Sequence, residues 1–362
     1  MKQRIKTMKR ITTTTIIVLS NLLLGTLSLA VAQQTPMSDA STPELSSRKL
    51  IAAAAEFKHN EERERTQDFI RDIKQARVLD LSFTWDENSP LLGGPNPPFS
   101  MVLGATHAGT RGTFGGGTRG DGGQLSLTTE NMLWSGQHGA PTIDALGHAA
   151  HNGRLFDGED AAAATSDKRC IGRGAGGIGA NLGVDRYPVD KLVNRGVLLD
   201  VARFVNGDDS PLPAKFEITA SHLSRTAAAQ GVKIEPGDTV LIRTGWGRYF
   251  TENPELYKGE TSPGVGVDGA RYLVEQRVFA AGSDTLTFEQ RPPIATAPTF
   301  QVFPVHLLLI ADNGIYIIEN FFLEELSAAR VYEFLLVTPP LKIRGGTGSA
   351  LRSFALVPDK RD

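Results

Sequence analysis

The centre of this sequence is the stretch Gln137-His138-Gly139-Ala140-Pro141-Thr142-Ile143-Asp144-Ala145-Leu146-Gly147-His148. It places three side chains that can bind a divalent metal or transfer a proton at the spacing His-x5-Asp-x3-His. In an extended segment, residues two apart face the same side, and these three side chains share that parity. The stretch therefore predicts a strand, or a strand and turn, that projects His138, Asp144 and His148 toward one pocket.

A second pair of candidate groups lies near the C-terminus, where His306 and Glu319 flank a mostly apolar run. The run contains Asp312-Asn313-Gly314, and this turn signal predicts a strand-turn-strand hairpin over residues 306–319. A hydrolytic metal site needs neutral imidazoles, carboxylates and an open position for water. The two stretches together could supply such a site, with a histidine outside the ligand set acting as general acid or base. The alternative is that all these groups are hydrogen-bonded core residues; several of them in two clusters favour the site.

Composition limits the classes of function that need consideration. The chain has 362 residues, 40% of them hydrophobic, a formal net charge of -2 and a sequence pI of about 6.4. Because no basic surplus is present, nucleic acid is not an expected partner. The partner expected for the predicted hydrolytic site is a small-molecule substrate.

The N-terminal segments differ from the rest in composition. A basic start, an apolar run over residues 16–29 and Ala30-Val31-Ala32 predict a signal peptide over residues 1–32, cleaved after Ala32. An uncleaved anchor is the alternative. We expect a flexible linker over residues 33–46, a helical arm over residues 47–77 and one domain over residues 78–362. The signal peptide predicts a secreted or periplasmic protein that leaves the membrane after cleavage. The single cysteine, Cys170, excludes an internal disulfide.

The domain alternates strand and helix patterns, which predicts an α/β fold. Thr219 is expected to cap a helix that ends near Gly231. Residues 89–123, rich in Gly, Pro and Thr, are expected to form long loops near the site. The predicted strands cover residues 78–83, 195–200, 237–246, 279–284 and 331–337, and a second helix covers residues 265–278.

Several segments, in order, resemble one known group, the cyclase-like metal-dependent hydrolases, to which bacterial kynurenine formamidase and isatin hydrolase belong. The resemblance runs from about Val78 to the C-terminus. The segments that carry it are residues 78–82, 138–148, 152–158, 195–200, 237–246, 263–285, 303–306, 314–320 and 344–349.

This resemblance implies a swivelling β/β/α cyclase-like fold in a homodimer or homotetramer, and a divalent metal ion, Mn²⁺ or Zn²⁺. The family pattern is His-x-Gly-Thr-His-x-Asp-x-Pro-x-His, in which the first two histidines and the aspartate bind metal and the last histidine is the acid/base. His138 matches the first ligand, Asp144 the aspartate and His148 the acid/base. His306 and Glu319 resemble the later ligands of two-metal members.

The sequence departs from the family pattern at the second histidine, which is Thr142 here. A hydroxyl replaces imidazole poorly toward zinc. Three outcomes are open: Asp144, His138 and Glu319 bind a harder ion such as manganese more weakly; His107, His151 or Thr142 substitutes for the missing ligand; or the metal site is lost and His148 keeps only acid/base or structural work. The predicted function is hydrolysis of a small amide, formamide or lactone, most readily a C–N bond. The alternatives are a metal-free cyclase, dehydratase or lactone hydrolase, and a non-catalytic periplasmic binding protein.

Overall fold

The computed structural model describes residues 76–91, 99–111, 113–114, 117–118, 125–164, 182–293 and 302–358. All of them belong to one unit, Ala53–Asp362. The strands are β1 (Ala76–Asp80), β2 (Ser100–Ala105), β3 (Thr113–Phe114), β4 (Gly117–Thr118), β5 (Thr129–Leu133), β6 (Thr142–Asp144), β7 (Val193–Asp200), β8 (Glu217–Ile218), β9 (Thr239–Arg243), β10 (Gly264–Val265), β11 (Ala280–Ser283), β12 (Tyr316–Glu319), β13 (Glu333–Val337), β14 (Gly348–Ala350) and β15 (Phe354–Pro358).

The helices are short and connect these strands. They are α1 (His107–Thr110), α2 (Ala161–Ala164), α3 (Val201–Asn206), α4 (Ala220–Gln230), α5 (Tyr249–Glu252), α6 (Pro254–Tyr257), α7 (Val267–Glu275), α8 (Pro304–His306) and α9 (Glu324–Ala328). Three further turns are 3₁₀-helical, at Val184–Arg186, Val189–Lys191 and Trp246–Arg248, and α8 continues into a π-helix, Leu307–Ala311.

A nine-stranded mixed sheet has the order β1-β15-β13-β7-β9-β11-β12-β6-β14. The four strands β7, β9, β11 and β12 are parallel to their neighbours within this set, and the flanking strands are antiparallel. The parallel strands carry continuous apolar runs, such as Val197-Leu198-Leu199 and Val240-Leu241-Ile242, which are fully buried. Such runs are typical of strands covered on both faces, and the crossovers here contain α4, α7 and α8. The predicted α/β class is confirmed.

The elements predicted from sequence agree with the structure at most positions. Strands occur in each of the five segments predicted as strands. Thr219 is the N-cap of α4, and Gly231 ends that helix with a positive φ of 68°. The helix predicted over residues 265–278 is α7, which is shorter at both ends: Val265 pairs with β8 as part of β10, and Gln276 is already the C-cap.

The predicted hairpin over residues 306–319 is wrong. His306 lies at the end of α8, and the following apolar residues form the π-helix, which buries Leu309 and Ile310. The turn signal therefore ends a helix: the Gly314 N–H donates to Ile310, with φ 65° at Gly314. Only the second half of the segment is a strand, β12, and it pairs with β11 and β6.

The loops predicted over residues 89–123 contain more regular structure than expected. β2 pairs with β5 in a two-stranded antiparallel ribbon. Its apolar side chains are exposed, with Val102 at 62% and Leu103 at 64%. The strand forms because Ser100–Ala105 finds its partner at Thr129–Leu133, outside the Gly-rich stretch.

The predictions for the N-terminus concern residues outside the described part. This is the case for the signal peptide, the linker, and the arm as far as residue 75; Ala76 and Arg77 begin β1 instead. Cys170 also lies outside it. Within the described ranges, none of the helices combines the length and hydropathy needed to cross a membrane. Export and oligomeric state stay predictions.

Buried charges gather where the parallel strands end. Arg243, the last residue of β9, is fully buried, and its guanidinium contacts Asp200 at 2.9 Å and Glu324 at 2.8 Å. Asp284 follows β11 and accepts hydrogen bonds from the Thr244 N–H at 2.8 Å and the Thr244 hydroxyl at 2.7 Å. Burial raises the pKa of Asp284 to about 6, despite the lowering effects of Arg243 and Thr244. This carboxyl therefore makes stability depend on pH.

Replacing Asp284 with Asn should remove that dependence. The folded pKa of Asp284 is about 6 and lies above the ordinary value of 3.8, so its contribution to stability is complete below pH 3.8 and is lost as pH rises through 6. Relative to Asp284→Asn, the wild type should lose about 2 kcal/mol of unfolding free energy between pH 4 and pH 7. Urea unfolding at several pH values measures this difference, and parallel curves for the two proteins would contradict it.

Candidate metal and acid-base site

Asp144 and Glu319 lie on neighbouring antiparallel strands, β6 and β12. In this register Glu319 is opposite Thr142, and Ile317 is opposite Asp144. Directly opposite residues share a face of the sheet, so the two carboxylates share one as well. Ile143 and Ile318 point to the other face and belong to the hydrophobic core. The register of β6 and β12 thus brings two carboxylates together in the interior.

His306 completes this group from a different element. It ends α8, and its Nε2 lies 3.6 Å from Asp144 Oδ2 and 3.4 Å from Glu319 Oε1. One ligand atom from each of the three residues lies within 4.8 Å of the other two, and all three residues are buried. The structure therefore brings together three of the four residues predicted as metal ligands.

The electrostatics of the group suit a cation. Burial and the negative charge of Asp144 raise the pKa of Glu319 to about 7. Burial disfavours the charged form of His306, but hydrogen bonds with Glu289 and Glu319 outweigh it and raise the His306 pKa well above its usual value. Asp144 Oδ1 is buried and accepts no hydrogen bond. Two carboxylates, one of them with an unused buried oxygen, and one imidazole are a donor set that fits a divalent metal.

His148 lies beside this group, at a more open position. Its Nε2 is 3.9 Å from Asp144 Oδ2, and about a third of its side chain is exposed (31%). Its Nδ1 is 3.1 Å from the Gln137 amide nitrogen, which also donates to Thr347. With the amide as donor, the neutral imidazole carries its proton on Nε2, the atom that faces Asp144. The ring can exchange protons with solvent and present one to the site.

The other two positions of the central motif are bound to the main chain. β6 is only three residues long, so the predicted strand parity holds for Thr142 and Asp144 but not for His138 and His148, which lie in turns. His138 is buried, but it lies outside the group of three, and its Nδ1 accepts the Ser135 N–H at 3.0 Å. The Thr142 hydroxyl contacts the carbonyls of Gly136 at 3.0 Å and Ser349 at 3.2 Å.

The two histidines considered as substitute ligands have partners elsewhere. His107 lies on α1, is exposed, and contacts the Ser126 hydroxyl at 2.9 Å. His151 pairs with Asp312, its Nδ1 lying 2.8 Å from one carboxylate oxygen and 3.0 Å from the other. Neither residue belongs to the group formed by Asp144, His306 and Glu319.

Two contacts of the site were not anticipated from sequence. Glu289 is buried and its carboxylate lies 2.5 Å from His306 Nδ1. Gln137, next to His138 in the chain, contacts His148 instead. Gln137 is at least part of the central motif, whereas Glu289 lies 17 residues before His306 with no local pattern that connects them.

Comparison with known proteins agrees with this architecture. A family model described as "Putative cyclase" matches residues 79–290, which include Asp144, His148 and Glu289 but not His306 or Glu319. Isatin hydrolase from Roseibium aggregatum is 29% identical over 180 residues, 48% of this chain and 63% of that protein. The chain thus spans less than two thirds of the length of this curated relative.

Solved structures extend the likeness over more of the chain. The crystal structure of a novel cyclase has a TM-score of 0.67 and 27% identity, covering 81% of this chain and 90% of that one. Isatin hydrolase A from Labrenzia aggregata has a TM-score of 0.54 and 22% identity, covering 78% and 94%, and this likeness concerns the fold alone. The predicted cyclase-like fold is confirmed. Since the family model covers more than half of its residues, the chain belongs to the putative cyclase family.

Proposed function

We propose that this protein is a metal-dependent hydrolase that opens a small cyclic amide. One observation carries the proposal: Asp144, His306 and Glu319 form a buried group, Asp144 Oδ1 accepts no hydrogen bond, and the partly exposed His148 lies beside Asp144. The two carboxylates repel each other in the interior, and a divalent ion would remove that repulsion.

Asp144, His306 and Glu319 would hold the ion. When bound, a divalent metal supplies Lewis-acid polarisation of a carbonyl oxygen and lowers the pKa of a water molecule. Two carboxylate oxygens and one imidazole nitrogen favour a harder ion such as Mn²⁺ over Zn²⁺. His138 then has a structural role, because its Nδ1 accepts the Ser135 N–H.

His148 would carry the proton transfers. Its Nε2 faces Asp144, while Nδ1 is held by the Gln137 amide, so the ring keeps one orientation. Because Nε2 carries the proton in this tautomer, His148 would act first as the acid: Nε2 gives its proton to the amide nitrogen that leaves, and it then takes back the proton that the attacking water loses. The exposed part of the ring lets it exchange protons with solvent between turnovers.

The substrate class rests on the curated relative. The name of isatin hydrolase gives its substrate as isatin, which is a cyclic amide, and 29% identity to that protein favours a related reaction here. Water would add to the amide carbonyl, the C–N bond would break, and the products would be a carboxylate and an amine on one molecule. The metal-free enzyme and the non-catalytic binding protein are the outcomes against which this proposal is tested.

Metal content distinguishes the two possible ligand sets. His306→Asn keeps a donor toward Glu289 but removes Nε2, whereas His138→Asn keeps an acceptor for the Ser135 N–H. We expect Mn²⁺ affinity to fall at least about 100-fold in His306→Asn, Asp144→Asn and Glu319→Gln, and to persist in His138→Asn. Elemental analysis and calorimetric titration with Mn²⁺ and Zn²⁺ measure this. Loss of Mn²⁺ binding in His138→Asn, with binding retained in His306→Asn, would instead assign the ion to a ligand set that contains His138 and not His306.

Turnover of isatin and other cyclic amides tests the role of His148. His148→Asn should lower kcat by about 10²–10⁴-fold and leave Mn²⁺ affinity unchanged, because the ring transfers protons and is not a ligand. His151→Asn is the matched control, since His151 pairs with Asp312, and its kcat should equal that of the wild type. Full turnover after chelation would support a metal-free enzyme, and binding of these amides without turnover would support a binding protein.

A further inference from the structure

Glu289 makes three hydrogen bonds to one short segment. Its Oε1 lies 2.5 Å from His306 Nδ1 and accepts the His306 backbone N–H at 3.1 Å, and its Oε2 accepts the Val305 backbone N–H at 3.2 Å. The side chain is 1% exposed. A buried carboxylate needs such donors, and here all three come from two consecutive residues.

These bonds serve the helix that carries His306. The first N–H groups of a helix have no partner inside it and usually bond to an N-cap side chain. In α8 the N-cap is Phe303, which makes no side-chain cap bond, and Pro304 has no N–H. Glu289 supplies the missing acceptor from a distant part of the chain, and so it fixes where α8 begins.

The bond to the ring determines which nitrogen faces the other ligands. A carboxylate only accepts, so Nδ1 carries a proton, and the unprotonated nitrogen of a neutral ring is Nε2. Nε2 is the atom within 3.6 Å of Asp144 and 3.4 Å of Glu319. In the neutral, metal-binding form of His306, the ring therefore points the lone pair of Nε2, and not an N–H, toward Asp144 and Glu319.

Glu289 is itself held firmly. Its backbone bridges to Val265 of β10, where the Val265 N–H donates to Phe288 and the Gln290 N–H donates to Val265. The backbone comes so close to β10 that a Cβ on Gly264 would lie 2.4 Å from the Glu289 carbonyl carbon. The position of Glu289 is therefore set by the main-chain contacts of its own segment with β10.

We infer that Glu289 is the positioning residue of the metal site, orienting His306 so that Nε2 points at the ion and anchoring the helix that carries it. The inference rests on the metal site proposed above. Partners of this kind, which bind the second nitrogen of a ligating histidine, typically contribute 10–100-fold to metal affinity.

The matched control is a second glutamate close by. Glu217 lines the same small cavity as Glu289 and Val305, and its described contacts include no bond to His306. Glu217→Gln makes the same change of charge and size beside the site. We expect Glu289→Gln to weaken Mn²⁺ binding about 10–100-fold, and Glu217→Gln to change it by less than about 3-fold.

A second variant separates positioning from folding. Glu289→Asp keeps the charge but shortens the side chain by one methylene group, so the carboxylate no longer reaches Nδ1. It should also weaken Mn²⁺ binding, and it decides the matter if Glu289→Gln does not fold. Thermal unfolding of each metal-free variant shows whether the protein is folded before calorimetric titration with Mn²⁺.

The ring itself gives a readout independent of metal. In protein labelled with ¹⁵N-histidine, the Nδ1–H of His306 should give a resonance in the wild type and in Glu217→Gln that shifts in both Glu289 variants. Unchanged Mn²⁺ affinity and an unchanged resonance in folded Glu289 variants would overturn the inference. If the wild type binds no metal, the proposed function fails, and the resonance alone decides whether Glu289 holds the ring.

Discussion

The site depends on two carboxylates that share one face of a buried strand pair. Asp144 and Glu319 lie on β6 and β12, beside residues of the hydrophobic core, where an isolated charge is costly and two like charges cost more. The raised pKa of Glu319 is the direct sign of this conflict. Around the two carboxylates, the structure places two imidazoles, His306 and the more open His148, and a third carboxylate, Glu289, lies behind His306. The burial and mutual repulsion of these acidic groups favour an added positive charge, such as the divalent ion proposed above.

The scaffold explains why this conflict is tolerated at one place. Buried apolar side chains occupy the middle of the parallel strands β7, β9, β11 and β12, and the charged residues that end β7 and β9, Asp200 and Arg243, pair with each other at 2.9 Å. β12 is the last parallel strand and pairs on its other side with the antiparallel β6. The site lies at this change of strand direction, where a short strand, a helix end and two turns meet. Elements of that kind can orient polar groups without interrupting the sheet.

Much of this arrangement could be predicted from the sequence, and the reason is local. Strands such as β7 and β9 each contain a continuous apolar run, Thr219 and Gly231 are ordinary helix boundaries, and Asp144 and His148 belong to one short motif. The sequence also predicts that His306 and Glu319 lie close together, but it places both of them on the strands of a hairpin. The error arose because an apolar run followed by Asp-Asn-Gly fits a strand and turn as well as a buried helix that ends at Gly314. Glu289 could not be foreseen, because its contact with His306 depends on how β10 holds its backbone.

The central motif takes on a different meaning once its contacts are known. At Thr142, where the family pattern has a histidine, the hydroxyl contacts the carbonyls of Gly136 and Ser349, and so ties β6 to the preceding turn and to β14. His138 holds Ser135 in the same turn, and a Cβ on Gly139 would lie 2.8 Å from Ala350 Cα. These contacts give this half of the motif a structural role, because they fix the start of β6. In the other half of the motif, Asp144 belongs to the group with His306 and Glu319, and His148 lies beside it. The first half of the motif supplies no imidazole to the group; His306 of α8 does, and its ring is held by Glu289. The ring nitrogen that faces Asp144 and Glu319 is therefore set by a contact that lies outside the motif.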